Sequence, residues 1–273
     1  MKDYLFSIVT ICRNAEKEIE STILSVLQQQ NAKIEYIIID GASTDRTTQI
    51  ISKFTDEIEK KCVSFRYISE PDKGIADAFN KGIYLATGDV IGLINAGDTL
   101  LPGALEELNR VFSDDMDIVY GNTVCIDREN NLKYLREKPN NIDLSQIAKN
   151  GLIFTHQSAF VKKKLYDCVG VYDISFRIIM DEELFIRFYN SGARFQYIDF
   201  NLVSMLAGGI SSKPSKTIYK EHIEISERYG GISRKVLIFS YIKNIPISFI
   251  KRIAKKNKKL WYFLIGKDRI LND

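Results

Sequence analysis

Apolar residues are spaced along this chain in two alternating styles. Residues 6–12 (Phe-Ser-Ile-Val-Thr-Ile-Cys) and 35–39 (Glu-Tyr-Ile-Ile-Ile) are short β-branched runs without strict alternation, as expected of parallel strands covered on both faces. Between them, Glu16 to Gln30 sets Ile19, Ile23, Val26 and Leu27 on one helical face. The second run ends in Asp40-Gly41-Ala42-Ser43-Thr44-Asp45, where Ser43 or Thr44 can cap a helix running through Ile50 and Ile51 to Phe54. The pattern then predicts a strand over Val63–Ile68, a helix over Ile75–Ala86 and a strand over Val90–Ile94. A helix over Pro102–Phe112 follows, with proline in its first turn, and Ile118–Tyr120 returns to extended structure. Alternation sustained for about 120 residues predicts an α/β fold with a mostly parallel, doubly wound sheet and flanking helices. In such sheets ligands bind beyond the carboxyl ends of the strands. Arg13-Asn14, Asp40–Asp45 and Asn95–Asp98 fall at those ends.

After Gly121 the pattern loosens. Helices are expected over Asp143–Lys149, Asp181–Asn190 and Glu221–Tyr229, with loop and strand mixed over Gly151–Phe160. Residues from 234 onward are basic and amphipathic, broken by Pro246. The organisation predicted is a body of residues 1–215, in halves 1–120 and 121–215, followed by a helical segment 216–273.

Composition narrows the chemistry. Hydrophobic residues at 45% and charged residues at 27% of 273 suit a folded domain with its own core. Cys12, Cys62, Cys125 and Cys168 lie tens of residues apart without a C-x-x-C pair, which argues against a zinc site or disulfide scaffold and for reduced thiols in a cytosolic compartment. With only His156 and His222 present, a metal would need carboxylate oxygens, which favours magnesium or manganese. The apolar run Tyr4–Cys12 follows Asp3 and lacks a small-residue cleavage site, so it reads as a buried strand rather than a signal peptide. No stretch approaches the length of a membrane-spanning helix. The net charge of +3 conceals +9 between Arg234 and Asp273 against −6 for the remainder.

Four polar stations carry candidate chemistry. Asp40 ends the second strand; its carboxylate can accept from the N3–H of a uracil, or can simply shape the turn with Gly41. Asp98, in Asn95-Ala96-Gly97-Asp98, can face a divalent ion that neutralises a diphosphate, or serve the turn alone. Asp181-Glu182-Glu183 opens a helix, where acids favour the dipole; one of the three can be a general base toward a sugar hydroxyl. Asp72-Lys73-Gly74 precedes a helix start whose amides can approach an anion. There is no Walker A loop and no G-x-G-x-x-G.

Taken in order, these stretches resemble family 2 glycosyltransferases of the GT-A fold. The likeness is carried by Ser7–Asn14, Ile38–Asp45, Ser69–Gly74, Asp77–Gly82, Ala86–Ile91, Asn95–Asp98, His156-Gln157 and Asp181–Leu184, and is nearest to bacterial enzymes of colanic-acid-type exopolysaccharide, capsule and O-antigen synthesis. It implies an inverting hexosyl or N-acetylhexosaminyl transfer from a nucleotide sugar, a UDP-sugar above all. Asp40 would hold the uracil, with Thr10 and Arg13 lining base and ribose; Asp72, Lys73, Asp77, Asn95 and Ala96 would complete the donor site. Asp181 would be the catalytic base. The family's acidic metal triplet is here Asn95-Ala96-Gly97, leaving Asp98 for Mn2+ or Mg2+, with His156 either a second ligand or a packed histidine. Two other readings stand beside this one, a nucleotidyltransferase and a degenerate sugar-nucleotide-binding module.

Lys251–Lys259 followed by Trp261-Tyr262-Phe263 suits a segment lying on an anionic membrane face. A solvated basic face on a packed helix is the plainer alternative. The expectation is a cytoplasmic enzyme peripheral to the inner membrane face, acting on a glycan or polyprenyl-diphosphate-linked acceptor and not on nucleic acid.

Overall fold

The structure, a computed structural model, describes residues 3–127, 132–136, 152, 154–208, 215–230 and 269–271. The expected helix over Asp143–Lys149 and the basic segment 231–268 lie outside the described residues.

The amino-terminal half follows the predicted alternation: β1 (Leu5–Cys12), α1 (Ile19–Leu27), β2 (Lys33–Asp40), α2 (Thr47–Lys61), β3 (Ser64–Ser69), α3 (Ile75–Leu85) and β4 (Val90–Asn95). Then come β5 (Thr99–Leu100), α4 (Ala104–Val111), β6 (Ile118–Asp127), β7 (Leu132–Arg136), β8 (Ala159–Lys162), α5 (Lys163–Val169), α6 (Met180–Asn190), β9 (Phe195–Leu206), α7 (Lys216–Tyr229) and β10 (Arg269–Leu271). The sheet runs β10-β7-β6-β8-β4-β1-β2-β3, with β9 pairing β6 and β5. Strands β4-β1-β2-β3 are parallel, whereas β8 enters antiparallel between β4 and β6, and β7 and β10 continue antiparallel. Parallel β-α-β winding thus characterises the half with regular strand–helix spacing, while the looser second half mixes antiparallel pairs with one parallel pair, β6 with β9. At the far end the expected helical segment finishes as a strand, because Arg269–Leu271 meets the open edge of β7.

The two-residue period sorts the parallel strands between two cores. Val9, Ile11, Ile37, Ile39, Ile91 and Leu93 pack on one face with α3, α5 and α6. Ile8, Cys12, Ile38, Val90 and Ile94 pack on the other with α1, α2 and α4. Coverage on both faces explains why these strands lack a polar stripe. Cys12, Cys62 and Cys125 are buried and Cys168 is exposed, all as free thiols.

Helix starts shift for identifiable reasons. The expected capping hydroxyl of Ser43 is taken by the Asp40 carboxylate and by Asn14 N–H at 2.7 Å. The start of α2 is tied instead by Asp45, which accepts Thr47 N–H at 3.0 Å and Thr47 Oγ at 2.6 Å. Gly103, with φ 77°, delays α4 past Pro102. Ser215 accepts Ile218 N–H at 3.1 Å and starts α7 earlier than periodicity suggests.

Among the described residues no helix is long and apolar enough to cross a membrane.

Candidate active site

Parallel register aligns residues that are far apart in sequence. Cys12 lies opposite Asp40, Asp40 opposite Ser69, and Ile11 opposite Asn95, so the polar stations share one edge of the sheet. A cleft of about 840 Å³ opens there. Its lining comes from Ile11–Arg13, Asp72 and Gly74, Asn95–Asp98, Thr155–Gln157, Arg177–Glu182 and Met205–Gly208. Arg13, Asp72, Asn95, Ala96, Asp98, His156 and Asp181 of the expected site are therefore brought together.

Asp98 is 6% exposed. Its Oδ2 accepts from Asn95 N–H at 3.3 Å, Asn95 Nδ2 at 2.9 Å and Gln157 Nε2 at 3.0 Å. Burial raises its proton affinity above the ordinary carboxylate value, while those hydrogen bonds and nearby His156 oppose the rise. The turn that carries it is clamped by Thr22 of α1, whose hydroxyl accepts Gly97 N–H at 2.9 Å and donates to Asp98 carbonyl at 2.8 Å. Gly97 takes φ 101° there, a conformation a side chain resists.

Asp181 sits in the first turn of α6, where unpaired N–H groups favour a carboxylate. Its Oδ1 accepts Glu182 N–H at 3.0 Å, and its Oδ2 lies 3.4 Å from His156 Nδ1. His156 packs edge-on to Phe79, and its buried Nε2 has no hydrogen-bond partner among the described residues.

The three consecutive acids have different surroundings. Glu182 also lines the cleft; burial, then the Asp181 charge, pushes its carboxyl up to about 8. His222 Nδ1 lies 3.6 Å away, and burial lowers its proton affinity. Burial thus disfavours the charged form of both partners in this contact. Glu183 is 1% exposed and turned inward, held by Arg187 at 2.8 and 2.9 Å and by Tyr229 at 2.5 Å.

Four expected donor residues are not on the cleft wall. Thr10 is fully buried in mid-strand, its hydroxyl 3.1 Å from that of Tyr36, because it belongs to the inward-facing set of β1. Asp40 is also fully buried. Its carboxylate accepts from Ser43 N–H at 3.0 Å, Ser69 Oγ at 2.6 Å, Cys12 Sγ at 3.6 Å and the Ser43 hydroxyl, which leaves no lone pair directed at the cleft. A base edge would reach Asp40 only by displacing one of these hydroxyls. Lys73 is exposed outside the lining, and Asp77 turns back to accept Lys73 N–H at 2.9 Å and to pair with Lys81 at 3.7 Å. That is helix-start chemistry for α3.

Asp72 compensates for part of this loss. It packs on Gly41, where an added Cβ would stand 2.2 Å from Asp72 Oδ2 and 3.3 Å from Arg13 Cδ. The missing side chain at Gly41 leaves room for both Asp72 and Arg13 beside the end of β2.

Among the described residues no group of three or more His, Cys, Asp or Glu side chains is arranged to hold a metal ion. The residues present fit a divalent ion only sparsely: one carboxylate, Asp98, plus the unpartnered nitrogen of His156. Such a set suits an ion whose other ligands are substrate phosphates and water.

A mixed α/β sheet with a carboxylate-lined cleft beyond its strand ends defines a GT-A class fold. The Glycosyl transferase family 2 model matches residues 7–180, and the chain belongs to that family; it is a glycosyltransferase. A PGL/p-HBAD biosynthesis glycosyltransferase of Mycobacterium bovis is 24% identical over 251 residues, covering 89% of this chain and 85% of the relative. The Escherichia coli UDP-Glc:alpha-D-GlcNAc-diphosphoundecaprenol beta-1,3-glucosyltransferase WfgD is 30% identical over 151 residues, 55% of this chain and 57% of that protein. In fold, the chain is similar to S. aureus TarS 1-349 in complex with UDP-GlcNAc, with TM-score 0.63 at 14% identity, covering 85% of this chain and 69% of that one. Family membership sets the nucleotidyltransferase reading aside.

Glu182, His222, Arg177 and Glu221 are site or near-site residues to which sequence reasoning assigned no individual role. Only Glu182 carried a signal, as one of three adjacent acids; the others are ordinary residues until the chain folds.

Proposed function

We propose that this glycosyltransferase moves a hexose or N-acetylhexosamine from a UDP-sugar to a hydroxyl of a glycan or polyprenyl-diphosphate-linked acceptor, with inversion at the anomeric carbon. The observation that carries this reading is that Asp98 and Asp181, 83 positions apart in the chain, line one cleft with His156 between them. In this reading Arg13 stacks its guanidinium on the base, and Asp72 holds the ribose. Asp98, with His156, would hold Mn2+ or Mg2+, which supplies positive charge against the diphosphate. Asp181 accepts the proton of the acceptor hydroxyl as its oxygen attacks the face opposite the departing diphosphate. The names of the relatives, a glucosyltransferase using a diphosphoundecaprenol acceptor and a fold neighbour holding UDP-GlcNAc, support the substrate classes. The basic segment 234–273 supports peripheral contact with the inner membrane face, close to a lipid-linked acceptor.

The test is a panel of nucleotide sugars with and without Mn2+ or Mg2+, read by thermal shift and by release of nucleoside diphosphate. UDP-sugars should raise the melting temperature and yield UDP. Binding without turnover would favour the degenerate sugar-nucleotide-binding module, and no binding under either condition would overturn the proposal.

A further inference from the structure

Resting on this transferase reading, we infer that Glu221 of α7 is a positioning residue that sets the place of the base Asp181 without touching substrate. Its carboxylate is 5% exposed and accepts three consecutive backbone N–H groups: Arg177 at 2.7 Å, Ile178 at 3.1 Å and Ile179 at 3.0 Å. These residues lead directly into α6, and Ile179 is its N-cap. A helix entrance normally draws its capping group from its own flanking sequence. Here the N-cap residue Ile179 offers no capping side chain and Asp181 accepts only Glu182 N–H, so the acceptor for the entering segment comes from a helix that begins 36 residues after Met180.

A buried carboxylate is costly unless its lone pairs are filled, and three charge-assisted bonds to one short segment fill those of Glu221. The same helix fastens neighbouring residues. Arg228 pairs with Asp173 at 2.8 Å and lies 5.0 Å above the Phe176 ring, while Tyr229 donates to Glu183 at 2.5 Å. Helix α7 therefore grips the chain on both sides of Asp181. Arg177, Ile178 and Ile179 themselves line the cleft, so displacement of this segment would move the base relative to the donor.

The test compares Glu221→Gln with the unmodified full chain, using a UDP-sugar and acceptor on which the latter is active. The glutamine keeps the volume but presents its NH2 to backbone donors. The expected result is a fall in kcat of about 10-fold or more, the scale of a sub-ångström to ångström misplacement, with donor KM changed less than about 2-fold and a folded protein by circular dichroism. Amides 177–179 should exchange with solvent faster in the variant than in the parent. A folded Glu221→Gln enzyme with parental kcat overturns the inference. So does exchange of amides 177–179 at free-peptide rates in the unmodified protein, a measurement that needs neither a stable variant nor a substrate. Asp181→Asn in the same assay separates the two levels. If Asp181→Asn retains full turnover, the base assignment fails; if it is inactive while Glu221→Gln is normal, only the positioning role fails.

Discussion

At the residue scale, the run Asp181-Glu182-Glu183 shows how three adjacent acids acquire different chemistry. Successive positions on a helix point about 100° apart, so one faces His156, one His222 at the cleft wall, and one the Arg187–Tyr229 pocket. Of the three, only Asp181 contacts His156, in the cleft that Asp98 also lines. Asp181→Asn is therefore expected to keep donor affinity and lose roughly 100-fold or more in turnover; near-parental turnover would remove it from the chemistry. Glu182 gives a pH signature. Its folded-state value of about 8 stands above its ordinary 4.5, so between these limits the folded protein holds a proton that the unfolded chain releases. Stability must then fall as pH rises through that window. His222, lowered from 6.5 by burial, acts in the opposite sense, with stability rising as pH approaches 6.5. The Glu182 contribution is isolated as a difference: Glu182→Gln should flatten the decline in melting temperature toward pH 8, and identical slopes would refute it.

At the scale of elements, the site is made by loops at the ends of β1, β2 and β4, tied to one another. Asn14 Oδ1 accepts Thr44 N–H at 2.9 Å, and Glu16 N–H reaches Asp45 at 3.1 Å. Asn14 and Ala42 take φ of 50° and 55°, left-handed values that non-glycine residues adopt only where neighbours hold them. The strand ends and their polar clusters were legible from periodicity, because a strand buried on both faces leaves few places for clustered polar residues except its termini. Side-chain direction was not legible. Thr10 adjoins the cleft-lining Ile11 in the chain and Asp40 lies opposite the cleft-lining Cys12 in the sheet, yet both are fully buried, since facing depends on register with β2 and β3. Gly41→Ala tests the close approach of Asp72 to the end of β2. A Cβ there would force Asp72 aside, and donor dissociation constants should rise about 10-fold, roughly 1.4 kcal/mol. Unchanged donor affinity would exclude this corner from the donor site.

At the scale of the whole molecule, the charge asymmetry and the position of α7 matter most. The chain divides into an acidic body and a carboxyl-terminal stretch of +9. Deletion of residues 234–273 is expected to reduce binding to vesicles containing anionic lipid, most clearly at low salt; full retention in a sedimentation assay would reject a membrane role for that stretch. Helix α7 lies before the deleted stretch. It packs Ile225 into the core beside α6 and holds the entrance to that helix. Deletion of 234–273 therefore leaves the Glu221 contacts in place.

By itself, the amino-acid sequence determined the parallel half of the sheet, the edge at which ligands gather, and the acids worth weighing there. All of these follow from local periodicity and from the rule that polar residues avoid a doubly covered strand. Which carboxylates face the cleft, which neutral donors surround Asp98, and which distant helix steadies Asp181 were decided only by tertiary packing. Those properties depend on inter-strand register and on contacts between residues 42 to 76 positions apart, and no local pattern encodes them.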